Sequence, residues 1–116
     1  MPDKAAASPL TFAVARNGDT AVVRCSGKLV YGVNDLLYLQ VKQLIPDCKR
    51  IVLDLKDLSH MDSMGLGTVV RLYVSAKSAG CALELANIGK PVRYLLGVTH
   101  LISVLTIIGE NNIRLG

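Results

Sequence analysis

The run Ile51-Val52-Leu53-Asp54-Leu55 constrains the fold more than any other stretch. It lacks the strict alternation of a half-exposed strand, and it is too short to be the buried stripe of a helix. A strand of this kind is covered on both faces, which places it centrally in a sheet with parallel neighbours. Parallel neighbours require crossover connections, and helical patterns lie on both sides of the run. Upstream, Leu37, Val41, Leu44 and Ile45 fall at helical spacing after Asn34, a candidate N-cap, and Asp35, which suits a helix's first turn. Pro46 is expected to close that helix. Downstream, Leu66, Val69, Val70, Tyr73, Ala76 and Lys77 recur every three or four residues, and Gly80 is placed as a stop.

The remaining elements follow from the same signals. Residues 10–16 and 20–26 are β-prone, and Asn17-Gly18-Asp19 between them predicts a hairpin. Residues 27–32 read as a loop bounded by glycines. Residues 82–86 and 101–108 predict two more strands, with a third helix from Pro91 to about Leu96, ended by Gly97. The order β-β-α-β-α-β-α-β, with right-handed crossovers, specifies an α/β domain. Its sheet is mixed, it opens with a hairpin, and its helices lie mainly on one face. Residues 1–9 read as a flexible lead-in and residues 10–116 as one domain. With aromatics at 4% and no Trp, the core must be built from Val, Leu, Ile and Ala.

Composition excludes several functions. Cys25, Cys48 and Cys81 are far apart and form no Cys-x-x-Cys pair, which argues against a disulfide framework or a zinc site and suits a reducing cytoplasm. Cys25 and Cys81 stand in apolar surroundings, where inert buried thiols are expected. No apolar run is long enough to span a bilayer, and the first nine residues lack the apolar centre of a secretory signal. The net charge of +4 is dispersed over the chain, with Lys49-Arg50 as the one adjacent basic pair, so direct nucleic-acid contact is not expected.

The central strand is followed by His60-Met61-Asp62-Ser63-Met64-Gly65-Leu66-Gly67. Loops at the carboxyl ends of such strands are where ligands and partners are met. Asp62 and Ser63 are both candidates to cap the second helix, and capping is the plainest use of Ser63. Gly65 and Gly67 disfavour a helix by about 1 kcal/mol each relative to Ala, so close approach of another backbone or of a partner is the reason to place them there. A serine nucleophile elbow needs glycine where Met61 stands, and neither His60 nor His100 has a recognisable base context. Position 70 is Val rather than the glycine of a dinucleotide loop, and no Gly-Lys-Ser/Thr is present. No catalytic residue, metal or cofactor is therefore expected. Covalent modification of Ser63 is the sharper alternative to capping: a phosphate at a helix N-terminus is tolerated by the fold and repels a docked partner.

The strand 51–55, Leu58 and the run Met61-Asp62-Ser63-Met64-Gly65-Leu66-Gly67 together resemble the signature of STAS domains, and more narrowly of bacterial anti-sigma factor antagonists. The resemblance extends to the hairpin, Gly27-Lys28-Leu29, Ala79-Gly80 and residues 92–101. It implies a non-enzymatic, protein-binding regulator of transcription that works by partner switching. Ser63 takes the position of the phosphorylated serine, and the implied partners are an anti-sigma factor serine kinase of histidine-kinase-like ATPase fold and a metal-dependent serine phosphatase. ATP and magnesium would belong to the kinase. By the same resemblance Asp62, Gly65 and Gly67 shape the contact loop, with Met64 and Leu66 as apolar contacts. Two departures stand out. Many members carry an Asp where this chain has Val30, and Val30-Tyr31-Gly32 offers an apolar patch suited to a different partner. Only residues 109–116 follow the last strand, which leaves that end to pair weakly with a second copy. The alternative implied function is a docking or scaffold module of a stressosome-like or lipid-transport ATPase assembly, without phosphotransfer.

Overall fold

The computed structural model describes residues 9–98 and 106–108. Strand β1 (Leu10–Asn17) turns through Gly18-Asp19 into β2 (Thr20–Leu29), with Asn17 paired to Thr20 across the turn. Gly18 has φ +66°, the left-handed region that a tight hairpin demands and that glycine enters without penalty. Helix α1 (Asn34–Lys42), a 3-10 turn (Ile45–Asp47), β3 (Arg50–Met61), α2 (Ser63–Ser78), β4 (Ala82–Ala86), α3 (Lys90–Val98) and β5 (Thr106–Ile108) follow. The sheet order is β1-β2-β3-β4-β5; the hairpin is antiparallel and every other pairing is parallel. The element order and mixed sheet expected from the sequence are therefore present.

Register explains the core. Ala21 and Val23 of β2 lie beside Ile51 and Leu53 of β3, which lie beside Leu83 and Leu85 of β4. These residues form a continuous apolar stripe on one face, since alternate residues of a strand share a face. Leu37 and Val41 of α1, Val69, Leu72 and Ala76 of α2, and Val92 and Leu96 of α3 pack into the same cluster. Val52, Asp54, Glu84 and Ala86 point the other way and are buried as well, so β3 is covered on both sides, as its composition required. The charges on that second face are paired: Arg24 with Asp54 at 3.6 Å and Arg50 with Glu84 at 2.7 Å.

Several boundaries differ from the sequence reading. β3 continues six residues past Leu55 to Met61, and β2 runs through Gly27-Lys28-Leu29, where the sequence predicts a loop. The two strands stay paired across two register shifts, one between Arg24 and Ser26 and one between Gly27 and Lys28. Such bulges twist a strand and re-aim its end. At Gly27, φ is +106° and the Pro9 carbonyl occupies the space a Cβ would need. Asn34 is not an N-cap: Val33 holds that position without a side-chain bond, and Asn34 opens the helix with its amide turned inward. Pro46 sits in the separate 3-10 turn rather than ending α1, and Gly97 lies inside α3. Gly80, at φ +76°, follows the C-cap Ala79 as expected.

All three cysteines are free and buried. Burial, reinforced by the negative charge of Asp54, pushes the Cys25 thiol up to about 12, so it is inert at neutral pH. Residues 1–8 of the expected lead-in 1–9, the expected strand residues 101–105 and residues 109–116 lie outside the described residues, while the Pro9 carbonyl accepts the Lys28 N–H at 2.8 Å.

Candidate functional site

The end of β3, the first turn of α2 and the segment after β2 meet at one place. Asp62, in extended conformation, is the N-cap of α2, and its Oδ1 accepts the Gly65 N–H at 2.9 Å. Its Oδ2 accepts the Tyr31 N–H, also at 2.9 Å. One carboxylate thus caps a helix and fastens the turn after β2 to it. Burial pushes the Asp62 carboxyl up, but backbone N–H groups of Tyr31, Gly65, Met64 and Asp62 itself outweigh it, and the net shift is downward. Asp62 is therefore an anion at neutral pH.

With Asp62 at the cap, Ser63 becomes the first residue of α2, and it is exposed. Its neighbours on the surface are apolar. Met64 is 47% exposed and Tyr31 is 76% exposed, while Val30, preceding Tyr31, is half-buried. Ser63, Gly67, Arg71 and Val74, at helical spacing, are all exposed and continue one stripe along α2. The Arg71 guanidinium stacks on the Tyr38 ring of α1 at 4.2 Å, which ties the two helices together below the loop.

The two glycines prove to have different reasons. A Cβ on Gly65 would collide with the carbonyl and side chain of Leu29, so this glycine lets α2 start against the end of β2. At Gly67 no heavy atom comes within 4 Å of the Cβ position, and the residue is exposed. Of the two kinds of close approach expected, Gly65 serves the chain's own backbone and Gly67 leaves open surface. Leu66 corrects the sequence reading. It is 4% exposed and packs in the core cluster, so its side chain is withdrawn from any partner. Asp62 links Tyr31, which follows Val30, to Gly65 in the first turn of α2 beside Ser63; Met64 and Gly67 are exposed on the same helix, and Leu66 is turned into the core.

Thr68 and the part played by Asn34, read from the sequence as a candidate cap, escaped the sequence reading. Asn34 is 8% exposed and Thr68 1% exposed, and the Asn34 Nδ2 donates to Thr68 Oγ1 at 3.1 Å. The Thr68 hydroxyl in turn donates to the Met64 carbonyl at 3.1 Å. The one available signal was a threonine on the otherwise apolar inner face of α2.

The His60 Nδ1 lies 3.1 Å from the Oγ of its neighbour Ser59; His100 lies outside the described residues. Among the described residues no three His, Cys, Asp or Glu side chains are grouped to hold a metal ion, and no helix is long and apolar enough to cross a membrane.

Comparison with known proteins agrees with this geometry. The STAS domain model matches residues 11–112. An anti-sigma F factor antagonist from Paenibacillus polymyxa is 33% identical over 88 residues, covering 74% of this chain and 75% of that protein. The anti-sigma factor antagonist SpoIIAA in its unphosphorylated form superposes with a TM-score of 0.73 at 21% identity, over 87% of this chain and 90% of its own. The phosphorylated Bacillus form gives 0.68 at 20% identity, over 87% of this chain and 94% of its own. An anti-sigma factor antagonist from Mycobacterium paratuberculosis gives 0.75 at 19% identity, over 84% of each chain. By the residues matched and by a relative 33% identical over 88 residues, this chain is a member of the STAS domain family.

Proposed function

We propose that this protein is an anti-sigma factor antagonist whose docking loop is switched by phosphorylation of Ser63. Unmodified, the surface formed by Met64, Gly67, Tyr31 and Val30 binds an anti-sigma factor kinase of histidine-kinase-like ATPase fold and so frees a sigma factor. The kinase supplies ATP and magnesium. In the transfer step the Ser63 Oγ attacks the γ-phosphorus, the Oγ–P bond forms, the bond to ADP breaks, and the hydroxyl proton passes to a base of the kinase. A serine phosphatase reverses the switch by hydrolysis, and the cycle runs in the cytoplasm.

The observation that carries this reading is the division of labour between adjacent residues: Asp62 caps the helix, and the exposed Ser63 hydroxyl is not needed for it. A phosphate of roughly −1.5 to −2 charges at that point sits at the positive end of the α2 dipole, where the fold tolerates it. A partner packed on Met64 and Tyr31 would have to desolvate that charge beside the Asp62 carboxylate. Each 1.4 kcal/mol of such penalty weakens binding about tenfold. The P. polymyxa relative, an anti-sigma F factor antagonist, and the existence of a phosphorylated SpoIIAA support the assignment.

Val30, apolar where many family members have an acid, favours a second reading, a docking module of a larger assembly without phosphotransfer. One experiment separates them. The protein is incubated with the anti-sigma factor kinase encoded nearest to it, ATP and magnesium, and weighed by mass spectrometry. Gain of one phosphate, abolished in Ser63→Ala, supports the switch, and Ser63→Glu should bind that kinase at least tenfold more weakly with its melting point nearly unchanged. No phosphate gain, or native affinity in Ser63→Glu, leaves the docking module as the function.

A further inference from the structure

The segment after β2 is a small hydrogen-bonded unit. Val33 N–H donates to the Val30 carbonyl at 3.1 Å and Leu36 N–H to the Val33 carbonyl at 3.0 Å, so residues 30–36 move as one turn into α1. This unit is fastened to the first turns of α2 at two points. On the outside, Tyr31 N–H bonds the Asp62 carboxylate. On the inside, the Asn34 amide bonds the Thr68 hydroxyl, which reaches back to the Met64 carbonyl. The outer point holds the backbone at Tyr31 and the inner point holds the first residue of α1, so the turn is held at both ends.

The inner pair is a polar contact set among buried residues: Asn34 and Thr68 are both buried, where hydrophobic side chains make up most of the core. A threonine can satisfy its own hydroxyl on the preceding turn without help. The asparagine adds a directional link between two helices, which an apolar contact does not provide.

We propose that Asn34 and Thr68 are positioning residues for the Ser63 site: their buried hydrogen bond fixes the turn of residues 30–34 against the first turns of α2, so that Tyr31, Ser63 and Met64 meet a partner as one rigid surface. This rests on the assignment of Ser63 as the switched docking site, and it adds the residues that set its geometry. Neither side chain touches the partner; both act through Tyr31 and Met64.

The test uses the full chain in three variants. Thr68→Ser keeps the hydroxyl, Thr68→Val removes it, and Asn34→Leu with Thr68→Val replaces the polar pair by an apolar one. Three quantities are read: the melting point, the affinity for the anti-sigma factor kinase used above, and the pH titration of the Asp62 carboxyl in the free protein by NMR. Thr68→Ser should keep native affinity. Thr68→Val should bind roughly tenfold more weakly, the ratio that accompanies loss of about one hydrogen bond's worth of fixed geometry. The double variant should regain the native melting point but not the affinity. In both variants lacking the hydroxyl, Asp62 should titrate higher than in the native protein, because the Tyr31 N–H no longer holds it steadily. Native affinity and native Asp62 titration in Thr68→Val or in the double variant overturn the proposal and reduce the pair to core packing. The carboxyl titration needs no partner, so it decides the positioning role even if the kinase fails to bind the native chain, a result that would instead count against the assigned function.

Discussion

Two loops of this domain leave the carboxyl ends of neighbouring parallel strands and enter helices, yet they are built to opposite ends. The β4–α3 loop turns inward. Asn87 takes φ +56° and donates from Nδ2 to Asp54 Oδ1 at 3.1 Å, and Ile88 is buried in the core. The β3–α2 loop satisfies its polar groups internally through Asp62 and then leaves Ser63, Met64 and Gly67 outside. Topology supplies several strand-to-helix loops at one end of the sheet. What separates a candidate docking loop from a structural one is where the side chains go once the backbone has been satisfied.

That contrast can be broken or sharpened by substitution. The largest expected effect is at Gly65, where the β-carbon of Gly65→Ala would run into the Leu29 carbonyl. Overpacking against backbone should cost about 3 kcal/mol, read as a lower urea midpoint, and binding should fall with folding. Next comes Asp62→Ala, which removes the cap and the bond to Tyr31. A loss of about 1–2 kcal/mol is expected.

The Asp62 contribution should also depend on pH in one direction. Its carboxyl is held below the ordinary value by backbone donors despite burial, so its stabilisation is complete above the unfolded value of roughly 3.9 and disappears as pH falls through the lower folded value. Denaturation series at descending pH should therefore show the gap between native protein and Asp62→Ala closing below about pH 4. A constant gap would mean that the carboxylate's hydrogen bonds are not what matters there.

In the inward loop, Asn87→Ala should cost about 1 kcal/mol by removing the bond to Asp54, without altering partner affinity. A change in affinity would mean that the two loops are not functionally separate. The last effect has the opposite sign. Gly67→Ala meets open space and should stabilise the helix by about 1 kcal/mol, whereas a bulky residue there should weaken docking while the protein stays folded. Native affinity in Gly67→Phe would remove this position from the contact surface.

The sequence revealed what local chemistry decides. The hairpin followed from Asn17-Gly18, the central strand from residues 51–55, and the end of α2 from Gly80, because each is set by neighbours in the chain. It concealed what distant partners decide. Lys56, Asp57, Ser59 and His60 look like loop, yet they are strand because β2 continues beside them through two register shifts. Asn34 looks like a cap, but a buried hydroxyl 34 positions away claims its amide. Leu66 satisfies both the loop signature and the helical period, and only packing shows that the period prevails. At the site, the start of α2 at Ser63 was legible; the choice of Asp62 as cap was not, since both residues accept hydrogen bonds equally well.

The buried thiols give the molecule built-in reporters. Cys25 lies within β2, while Cys48 and Cys81 stand just before β3 and β4, so the three sample adjacent strands of the sheet. A maleimide or disulfide reagent can reach these buried thiols only when the structure around each opens, and the rate of labelling at each would time that event separately. Equal rates would describe a sheet that comes apart all at once, and a faster Cys25 would mark the hairpin as the first piece to lift away.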